Sequence, residues 1–536
     1  MNKKDILIKL AIVIGIIIVI NVISKRVFTR VDITKNNSYT LSPISKEVVS
    51  TLDDNLLIKA YFSDNLPAPY NNVRRQVQDI LDDYRSYSKG NMNYEFLNPT
   101  SSGEGEGNEL DQEAQKFGIQ PVQIQAMDND KLEVKRAYLG LVLLYEGKQE
   151  VIPVVQNADN LEYELTSLIK KMISTEKKKV GFLTGHGETE LSKLAQINAA
   201  LSAQYEVTSV NLNESVSLDP EMKVLIVMAP SAPFSESDKY KLDQFVMNGG
   251  NVAFLMNRIV PNFQQQQMVI GNEVTNNIED LLLNYGIRIN TDLVRDLQCS
   301  PVQVQSAIGF PISVNYPFFP VITDIARDNP AFKNIKSVVL TYSSTIDTGI
   351  AAGKNLKINP LLVTSDKSGL VVDFFFLNLE QFQNMTKQSA DTMFDKRGFL
   401  VGATYEGQYK SFYEGKEMPS DTLSGWVPLS GERLNQSRSN SKIIAIGDGD
   451  FANEENKPPR ENIVFFINMV DYLMDDVGLA EIRTKMSSES PIEETSEETK
   501  KFLKYFNLIF PPALILLIGL YKWNQRKQKK KNLQKS

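Results

Sequence analysis

The chain has 536 residues, of which 42% are hydrophobic and 23% are charged, and its formal net charge is −7. Its single cysteine, Cys299, excludes an internal disulfide, and its single histidine, His186, makes a zinc site built from His and Cys implausible. Both ends are basic, so the negative charge lies between them, which disfavours binding to nucleic acid because such binding requires neutralisation of phosphates.

The first apolar run, Ile6 to Ile23, reads ILIKLAIVIGIIIVINVI. A helix of about 20 such residues crosses a bilayer core, so we predict an amino-terminal transmembrane anchor over residues 1–30. A cleaved signal peptide is the alternative. The run ends in Asn21 to Arg26, however, without the small residues of a cleavage site, which favours an uncleaved anchor.

A second apolar run predicts a carboxyl-terminal transmembrane helix over residues 502–521, and an amphipathic or re-entrant segment is the alternative because Pro511 and Pro512 interrupt it. The tail, residues 522–536, has seven basic residues and no acidic one. Basic segments stay in the cytoplasm, so we expect a two-pass protein of the cytoplasmic membrane with both termini cytoplasmic and a periplasmic body. The basic residues just after the first run argue for the opposite orientation, and the tail outweighs them by charge density. The tail would also contact anionic membrane lipids.

Residues 31–175 predict a thioredoxin-like α/β domain. The order is a β-α-β unit, a polar loop at 101–109, a β-hairpin and a helix. The predicted strands are Leu56–Phe62, Met92–Leu97, Tyr138–Tyr145 and Glu150–Val155, and the helices are Val73–Tyr87 and Leu161–Ser174. A C-x-x-C motif is absent, which excludes dithiol redox chemistry.

Residues 176–485 predict a second α/β domain with a doubly wound, flavodoxin-like parallel sheet, because apolar strands alternate with helices. The predicted strands are Val180–Thr184, Tyr205–Leu212, Val224–Ala229, Val252–Met256 and Lys442–Gly447, and the helices are Leu191–Ser202, Ser235–Asn248 and Asn462–Leu473. An insertion occupies roughly residues 260–440, with a helix at Glu279–Tyr285 and a strand at Leu370–Phe376. Residues 486–501 predict an acidic, flexible or loosely helical linker.

The loop Gly185-His186-Gly187-Glu188 follows a predicted strand and precedes a helix. In open α/β sheets, ligands bind at this position, where glycines permit close approach and helix N-termini attract anions. We therefore predict that these four residues bind a ligand, and a tight turn with a capping role is the alternative.

Two further strand ends supply candidate residues. Ser231 lies where a class I amidotransferase-like domain would carry its nucleophile, but the surrounding Pro230-Ser231-Ala232-Pro233 lacks the required glycine pattern, and only His186 could act as base. Asp448 and Asp450 could bind a ligand or, with Glu454 or Glu455, a hard cation, the alternative being an acidic turn with a helix cap. Cys299 is interpreted as a packing or incidental surface residue. We predict no catalytic residue, no metal and no cofactor.

Four segments together resemble the gliding-motility-associated ABC transporter auxiliary proteins, GldG, over essentially the full length. These segments are Arg30–Thr34, Ser38–Ser42, Lys179–Glu188 and Ile444–Phe451. The resemblance implies a degenerate amidotransferase-like domain and a transporter complex with a separate ATPase subunit and a separate multi-span permease subunit. Two copies per complex would match a two-fold ABC core.

The combined prediction is a non-catalytic, membrane-anchored accessory subunit of an ABC transporter complex associated with gliding motility, whose extracytoplasmic body binds a ligand or partner protein. The chain has no Walker motif, so ATP hydrolysis is assigned to another subunit. Two alternatives stay open: a membrane-tethered extracytoplasmic hydrolase that uses Ser231 or Asp448, and a structural envelope scaffold without an ATPase partner.

Overall fold

The computed structural model describes most of the chain between residues 40 and 486, together with parts of the carboxyl-terminal segment. The described residues are 40–64, 66, 70–99, 106–128, 131–155, 158–174, 177–214, 218–264, 268–305, 310–333, 335–383, 385–396, 398–419, 433–475, 477–486, 504–507, 509, 510, 512, 516 and 519–523. The predicted anchor over 1–30, the predicted linker beyond Met486 and the basic tail after Trp523 lie outside these residues.

The first sheet has four strands in the order β2-β1-β5-β6, and β1 is parallel to β2 and antiparallel to β5. The elements of this region are α1 (Pro43–Ser50), β1 (Leu56–Phe62), α2 (Val73–Tyr87), β2 (Met92–Leu97), α3 (Glu106–Lys116), β3 (Val122–Asp128), β4 (Lys131–Ala137), β5 (Leu139–Tyr145), β6 (Lys148–Ile152) and α4 (Leu161–Ile173). The predicted strands and helices are confirmed here. On α2, the apolar residues at helical spacing are buried, as expected for an amphipathic helix that packs on a sheet.

Two features of this region differ from the prediction. Helix α3 begins at Glu106, so the second half of the predicted 101–109 loop is helical. Strands β3 and β4 form an additional antiparallel hairpin, which was not predicted. The predicted hairpin between β5 and β6 is confirmed, and it turns at Glu146 and Gly147, which both have positive φ (48° and 76°), as a two-residue turn of this kind requires.

The second sheet has eight strands in the order β17-β20-β22-β23-β10-β9-β7-β8. The first three are β17 (Asp324–Ile325), β20 (Leu356–Val363) and β22 (Leu400–Gly407). Five strands from β23 to β8 are mutually parallel, and the other three are each antiparallel to their neighbour. The α/β class is therefore confirmed, and the predicted parallel sheet accounts for five of the eight strands, whereas the sheet as a whole is mixed. The parallel strands are β7 (Lys179–Thr184), β8 (Glu206–Asn211), β9 (Met222–Met228), β10 (Asn251–Leu255) and β23 (Ser441–Ile446).

Helices cover both faces of this sheet. They include α5 (Ala195–Ser202), α6 (Glu236–Met247) and α10 (Arg460–Leu473), and a short 3₁₀ turn at Leu191–Lys193 precedes α5 where a continuous helix was predicted. Strand β9 shows why the parallel strands are apolar throughout. Its residues Val224–Met228 are at most 1% exposed because helices bury both faces.

The inserted region supplies the antiparallel strands and a smaller aromatic core. Its elements are β11 (Ile259–Asn262), β12 (Ile270–Glu273), α7 (Glu279–Asn284), β13 (Arg288–Ile289), β14 (Leu293–Asp296), β15 (Cys299–Gln305), β16 (Pro311–Ile322), β17 (Asp324–Ile325), β18 (Val338–Val339), β19 (Ile346–Asp347), β20 (Leu356–Val363), β21 (Ser368–Val371), α8 (Glu380–Gln383), α9 (Lys387–Met393) and β22 (Leu400–Gly407). The predicted strand at Leu370–Phe376 is observed at Ser368–Val371, so that prediction is wrong beyond Val371.

Helix α11 (Val477–Met486) packs against α1, α4 and α10. A Cβ atom at Gly478 would lie 2.7 Å from Ile44, so glycine allows α11 to approach α1 closely. Arg483 of α11 forms an ion pair with Asp471 of α10 at 2.9 Å and donates a hydrogen bond to the Tyr163 hydroxyl of α4 at 2.7 Å. The start and the end of the described body therefore meet at one helix junction.

The chain divides into two units, Met1–Ser487 and Ser488–Ser536. In the second unit, the described residues between 504 and 523 are helical, and several large apolar side chains there are exposed, among them Ile509 and Leu516. None of the helices that the structure describes combines the length and the apolar character needed to cross a membrane. The two predicted spans, 1–30 and 502–521, lie wholly or partly outside the described residues.

Candidate functional site

The predicted Gly185–Glu188 loop lies at the point where the order of the parallel strands reverses. Strand β8 lies on one side of β7, whereas β9, β10 and β23 follow on the other side. Ligands of open α/β sheets bind in the crevice at such a reversal, outside the carboxyl ends of the strands. The loop therefore occupies the place where the sequence predicts a ligand, and the contacts there decide what it can do.

Both glycines of the loop are required by its backbone. Gly185 and Gly187 have φ angles of 108° and 77°, which residues with a Cβ rarely adopt. A Cβ at Gly187 would lie 2.1 Å from the Ser231 hydroxyl oxygen, and one at Gly185 would lie 2.6 Å from the Asn211 side chain. The neighbouring loops therefore fill the space above these glycines.

His186 is 3% exposed and is held by two carboxylates. Its Nε2 lies 3.2 Å from Asp238 Oδ2, and its Nδ1 lies 3.4 Å from Glu188 Oε1, an ion-pair distance without hydrogen-bond alignment. The ring stacks on Phe234 with the ring centroids 3.9 Å apart. Glu188 also accepts a hydrogen bond from the His186 backbone N–H at 2.7 Å, which folds the loop onto itself.

The protonated form of His186 is favoured. Burial opposes protonation, but the hydrogen bond with Asp238 and the negative charges of Glu188 and Asp238 outweigh it and raise the pKa of His186 to about 9. Burial likewise opposes ionisation of Asp238, but hydrogen bonds with His186 and Ser235 and the charge of Lys241 lower its pKa to about 2. Lys241 Nζ lies 3.4 Å from Asp238 Oδ1. The side chains therefore form a buried row of alternating charge in the order Glu188, His186, Asp238 and Lys241.

Ser231 contacts the His186 loop through its backbone. Its N–H donates to the His186 carbonyl at 2.9 Å, and the Ala232 N–H donates to the same oxygen at 2.8 Å. The exposed Ser231 hydroxyl lies 3.3 Å from the Gly187 carbonyl, to which it donates, whereas both ring nitrogens of His186 face carboxylates. The structure thus brings Ser231 and His186 together, but not as a nucleophile and its base, which require a hydrogen bond between the two side chains.

Asp448 and Asp450 lie at the same edge of the sheet, after β23, and two strands separate them from β7. Asp448 is fully buried and accepts hydrogen bonds from the Thr341 backbone N–H, from the Thr341 hydroxyl at 3.2 Å and from the Asp450 N–H at 2.7 Å. Burial and the neighbouring charge of Asp450 raise the pKa of Asp448 to about 7. Asp450 accepts from the Asn257 side chain at 2.6 Å, so both carboxylates bind loops of the chain itself.

Glu454 and Glu455, the other candidate cation ligands, point away from this turn. The Glu454 carboxylate accepts from the backbone N–H groups of Gln196 and Ile197 at 2.8 and 2.9 Å and so caps α5, and Glu455 forms an ion pair with Lys193 at 3.1 Å. Across the described part of the chain, no cluster of three or more His, Cys, Asp or Glu side chains is arranged to hold a metal ion. Cys299 is half-buried at the start of β15, and burial, with the charge of Asp296, raises its pKa to about 11.

A cleft that the sequence did not reveal lies after β10, the central strand of the sheet. It has a volume of about 770 Å³ and is bounded by Met256 and Arg258, by residues of α7, by residues 287–292 and by Val372. Arg258 forms an ion pair with Glu279 and donates to the Thr291 hydroxyl at 3.1 Å. In the sequence, the position of Arg258 three residues beyond an apolar strand was the one indication of this cleft. The other lining residues come from short, irregular elements that have no recognisable pattern.

Together, the fold and these contacts define a mixed α/β protein in which the chain's own loops fill the crevice at the switch point of the parallel strands. Residues 177–469 match the family described as "ABC-type uncharacterized transport system", and this match covers more than half of the chain. The chain therefore belongs to this family of ABC transporter auxiliary proteins. Residues 35–144 match a second family, described as a domain of unknown function.

A protein of Borreliella burgdorferi (strain ATCC 35210), described as an uncharacterized protein, is 24% identical over 539 residues, which cover 98% of this chain and 99% of that protein. A solved structure described as "mmIFT52 N-terminal domain" is similar with a TM-score of 0.32 and 12% identity over 55% of this chain and 97% of that chain. The similarity to this relative therefore extends over nearly the full length of both chains.

Proposed function

We propose that this protein is a non-catalytic, membrane-anchored accessory subunit of an ABC transporter, whose body outside the cytoplasm binds a partner protein. Membership of the auxiliary family supports the accessory role. The observation that carries the non-catalytic part is the closed crevice at the switch point, where the Ser231 and Ala232 N–H groups both bind the His186 carbonyl. The exposed Ser231 hydroxyl there donates to the Gly187 carbonyl, and the ring nitrogens of His186 face carboxylates, so no base is in place to activate Ser231 as a nucleophile.

The strand orders of the two sheets support the same proposal. The order β2-β1-β5-β6, with a β-α-β unit followed by a hairpin and a helix, is that of a thioredoxin-like domain. The order β8-β7-β9-β10-β23 corresponds to the flavodoxin-like order 2-1-3-4-5, to which amidotransferase-like domains are related. Each scaffold lacks the residues of its usual chemistry: the first has no C-x-x-C, and the second has no glycine-flanked nucleophile.

The proposal includes membrane anchoring, a periplasmic body and a cytoplasmic basic tail. Its support is the sequence: the apolar runs at 6–23 and 502–521 and the charged residues that follow them. A separate permease, a separate ATPase and two copies per complex follow from the resemblance to transporter auxiliary proteins. The link to gliding motility rests on the same resemblance and stays a prediction.

Purification of the tagged full-length chain from membranes in mild detergent, with mass spectrometry of the co-purifying proteins, tests this function. We expect an ABC permease and an ATPase in fixed ratio to the chain. Recovery of the chain alone, or with envelope proteins only, would favour the scaffold alternative and refute the accessory role.

A Ser231→Ala variant separates the accessory role from the hydrolase alternative. Ser231 is exposed, so its substitution should leave the fold intact, and the proposal expects normal complex assembly and normal rescue of a deletion strain. An assembled complex that fails to rescue the strain would instead assign a chemical role to this hydroxyl.

A further inference from the structure

Strands β15 and β16 extend as a two-stranded ribbon over residues 301–305 and 311–315. Strand β16 pairs with its other neighbour, β18, only at its last two residues, and no third strand pairs with the ribbon within the described part of the chain. An isolated two-stranded ribbon is marginally stable in water and needs another layer to cover its apolar side. We therefore expect a further surface to pack against this ribbon.

The ribbon has one apolar and one polar face. Directly opposite residues of an antiparallel pair share a face, and the pairs Val302–Val314 and Val304–Ile312 form the apolar one. Ile312 is 45% exposed and Phe310, just before β16, is 68% exposed, while the three valines are only half-buried. The opposite face has exposed, uncharged polar side chains: Gln303, Gln305, Ser313 and Asn315. The apolar face of this amphipathic ribbon is therefore not covered by the described chain.

The ribbon lies in the longest stretch of the sequence without a charged residue. This stretch runs from Leu297 to Thr323 and is longer than either of the apolar runs near the two ends. Exposed strand edges in water usually carry Lys or other charges that prevent pairing with other chains, whereas surfaces that enter a bilayer exclude charges because their desolvation is costly. The composition of the ribbon therefore fits contact with lipid.

We propose that the apolar face of this ribbon inserts into the lipid–water interface of the membrane beside the body. The ribbon lies flat, with Phe310, Ile312 and the three valines toward the acyl chains and its polar face toward water. Its unpaired strand edges stay in the hydrated headgroup layer, because unpaired backbone groups are not tolerated in hydrocarbon. Amphipathic helices bind membrane surfaces in the same orientation.

A lipid surface fits the ribbon better than a second protein does. A stable protein interface uses about 20 to 30 residues on each side, whereas this apolar face has only the three valines, Ile312 and Phe310. A lipid contact does not require such an area, because the anchors proposed above hold the body at the membrane and raise the effective concentration of lipid. Since the ribbon is uncharged, its insertion does not require anionic lipids.

This inference rests on the proposed membrane anchoring, and fluorescence of the full-length chain in vesicles tests it. In a Cys299→Ser background, Ile312→Cys carries an NBD fluorophore on the apolar face, and Ser313→Cys carries it on the opposite face as a matched control. The chain is reconstituted into phosphatidylcholine vesicles with or without a nitroxide-labelled lipid. Flotation of the vesicles measures in parallel whether the chain is bound to the membrane, and circular dichroism shows whether each variant keeps the fold.

We expect the nitroxide lipid to quench the fluorophore at position 312 and to leave the one at position 313 nearly unchanged. Val304→Glu should remove most of the quenching at position 312 because it places a charge on the face that enters the membrane, whereas Gln305→Glu on the opposite face should not. Phosphatidylglycerol in the vesicles and high salt should have no effect.

Three results would overturn the lipid contact of the ribbon: equal quenching at positions 312 and 313, quenching only with anionic lipid, or a signal at 312 that depends on the ratio of protein to lipid, as contact with a second copy requires. If the chain floats with the vesicles but is not quenched at position 312, only the ribbon contact fails. A chain that does not float refutes the proposed membrane anchoring as well.

Discussion

His186 should stabilise the folded chain in a way that depends on pH, and its replacement by Gln tests this. Its imidazolium lies between the buried carboxylates of Glu188 and Asp238, and its pKa is raised from 6.5 to about 9. Because the folded chain binds this proton more tightly than the unfolded chain does, the stabilisation is complete below pH 6.5 and is lost as the pH rises through 9. The difference between these pKa values corresponds to about 3 kcal/mol.

Urea unfolding of the full-length chain and of His186→Gln, followed by circular dichroism at pH 6 and pH 9.5, measures this contribution. We expect the variant to be less stable by about 3 to 5 kcal/mol at pH 6, as for removal of one partner of a buried ion pair. At pH 9.5 the deficit should shrink by about 3 kcal/mol, because the wild-type imidazole is then neutral too.

The chain offers a direct control because His186 is its only histidine. The titration of a single set of imidazole NMR signals therefore gives its pKa without assignment, and Asp238→Asn should shift that pKa downward. The pKa of Asp448 is raised from 3.8 to about 7, so its contribution to stability is lost as the pH rises through 7. Both chains share this contribution, and it cancels in the comparison. An equal deficit at the two pH values, or an imidazole pKa at or below 6.5, would refute the reasoning.

Three further results are expected. Gly449→Ala should lower the thermal midpoint by the equivalent of about 1 to 3 kcal/mol, because its Cβ would lie 2.7 Å from Ala229, and an unchanged midpoint would contradict this contact. Arg483→Met should destabilise the chain to urea by about 3 to 5 kcal/mol because it removes the cation of a buried ion pair and leaves the charge of Asp471 uncompensated. Adding Asp471→Asn should recover part of the loss, and a double variant no better than the single one would argue against the pair. Cys299 should react with a maleimide at pH 7.5 about a hundredfold more slowly than an unperturbed thiol, since burial raises its pKa from 9.0 to about 11, and rapid labelling would show that the thiol is not shielded.

The sequence was most informative where a pattern of residues was compatible with only one type of local structure. Continuous apolar runs such as Val224–Met228 identified the parallel strands because a strand buried on both faces cannot alternate. Ser235 identified the start of α6, which its side chain caps. The glycines that flank the only histidine indicated a tight turn as one alternative at the end of β7, and both have positive φ.

The contacts that define the candidate site could not be predicted from the sequence. Asp238 lies in the first turn of α6, where acidic residues are common for reasons of helix capping alone, and only the sheet order brings it to His186. The open cleft was missed because strands of two residues, such as β13, have no periodicity to detect. The hairpin β3–β4 was missed because its strands, VQIQAMD and KLEVKRA, are rich in Gln, Lys and Arg.

The carboxyl edge of the parallel strands shows why an anionic ligand is not expected at the switch point. A helix N-terminus beside the switch point attracts anionic ligands through its free N–H groups. In this chain, Glu454 already occupies the N-terminus of α5, Ser235 caps α6, and Glu188 takes the His186 N–H. An anionic ligand would have to displace carboxylates of the chain itself.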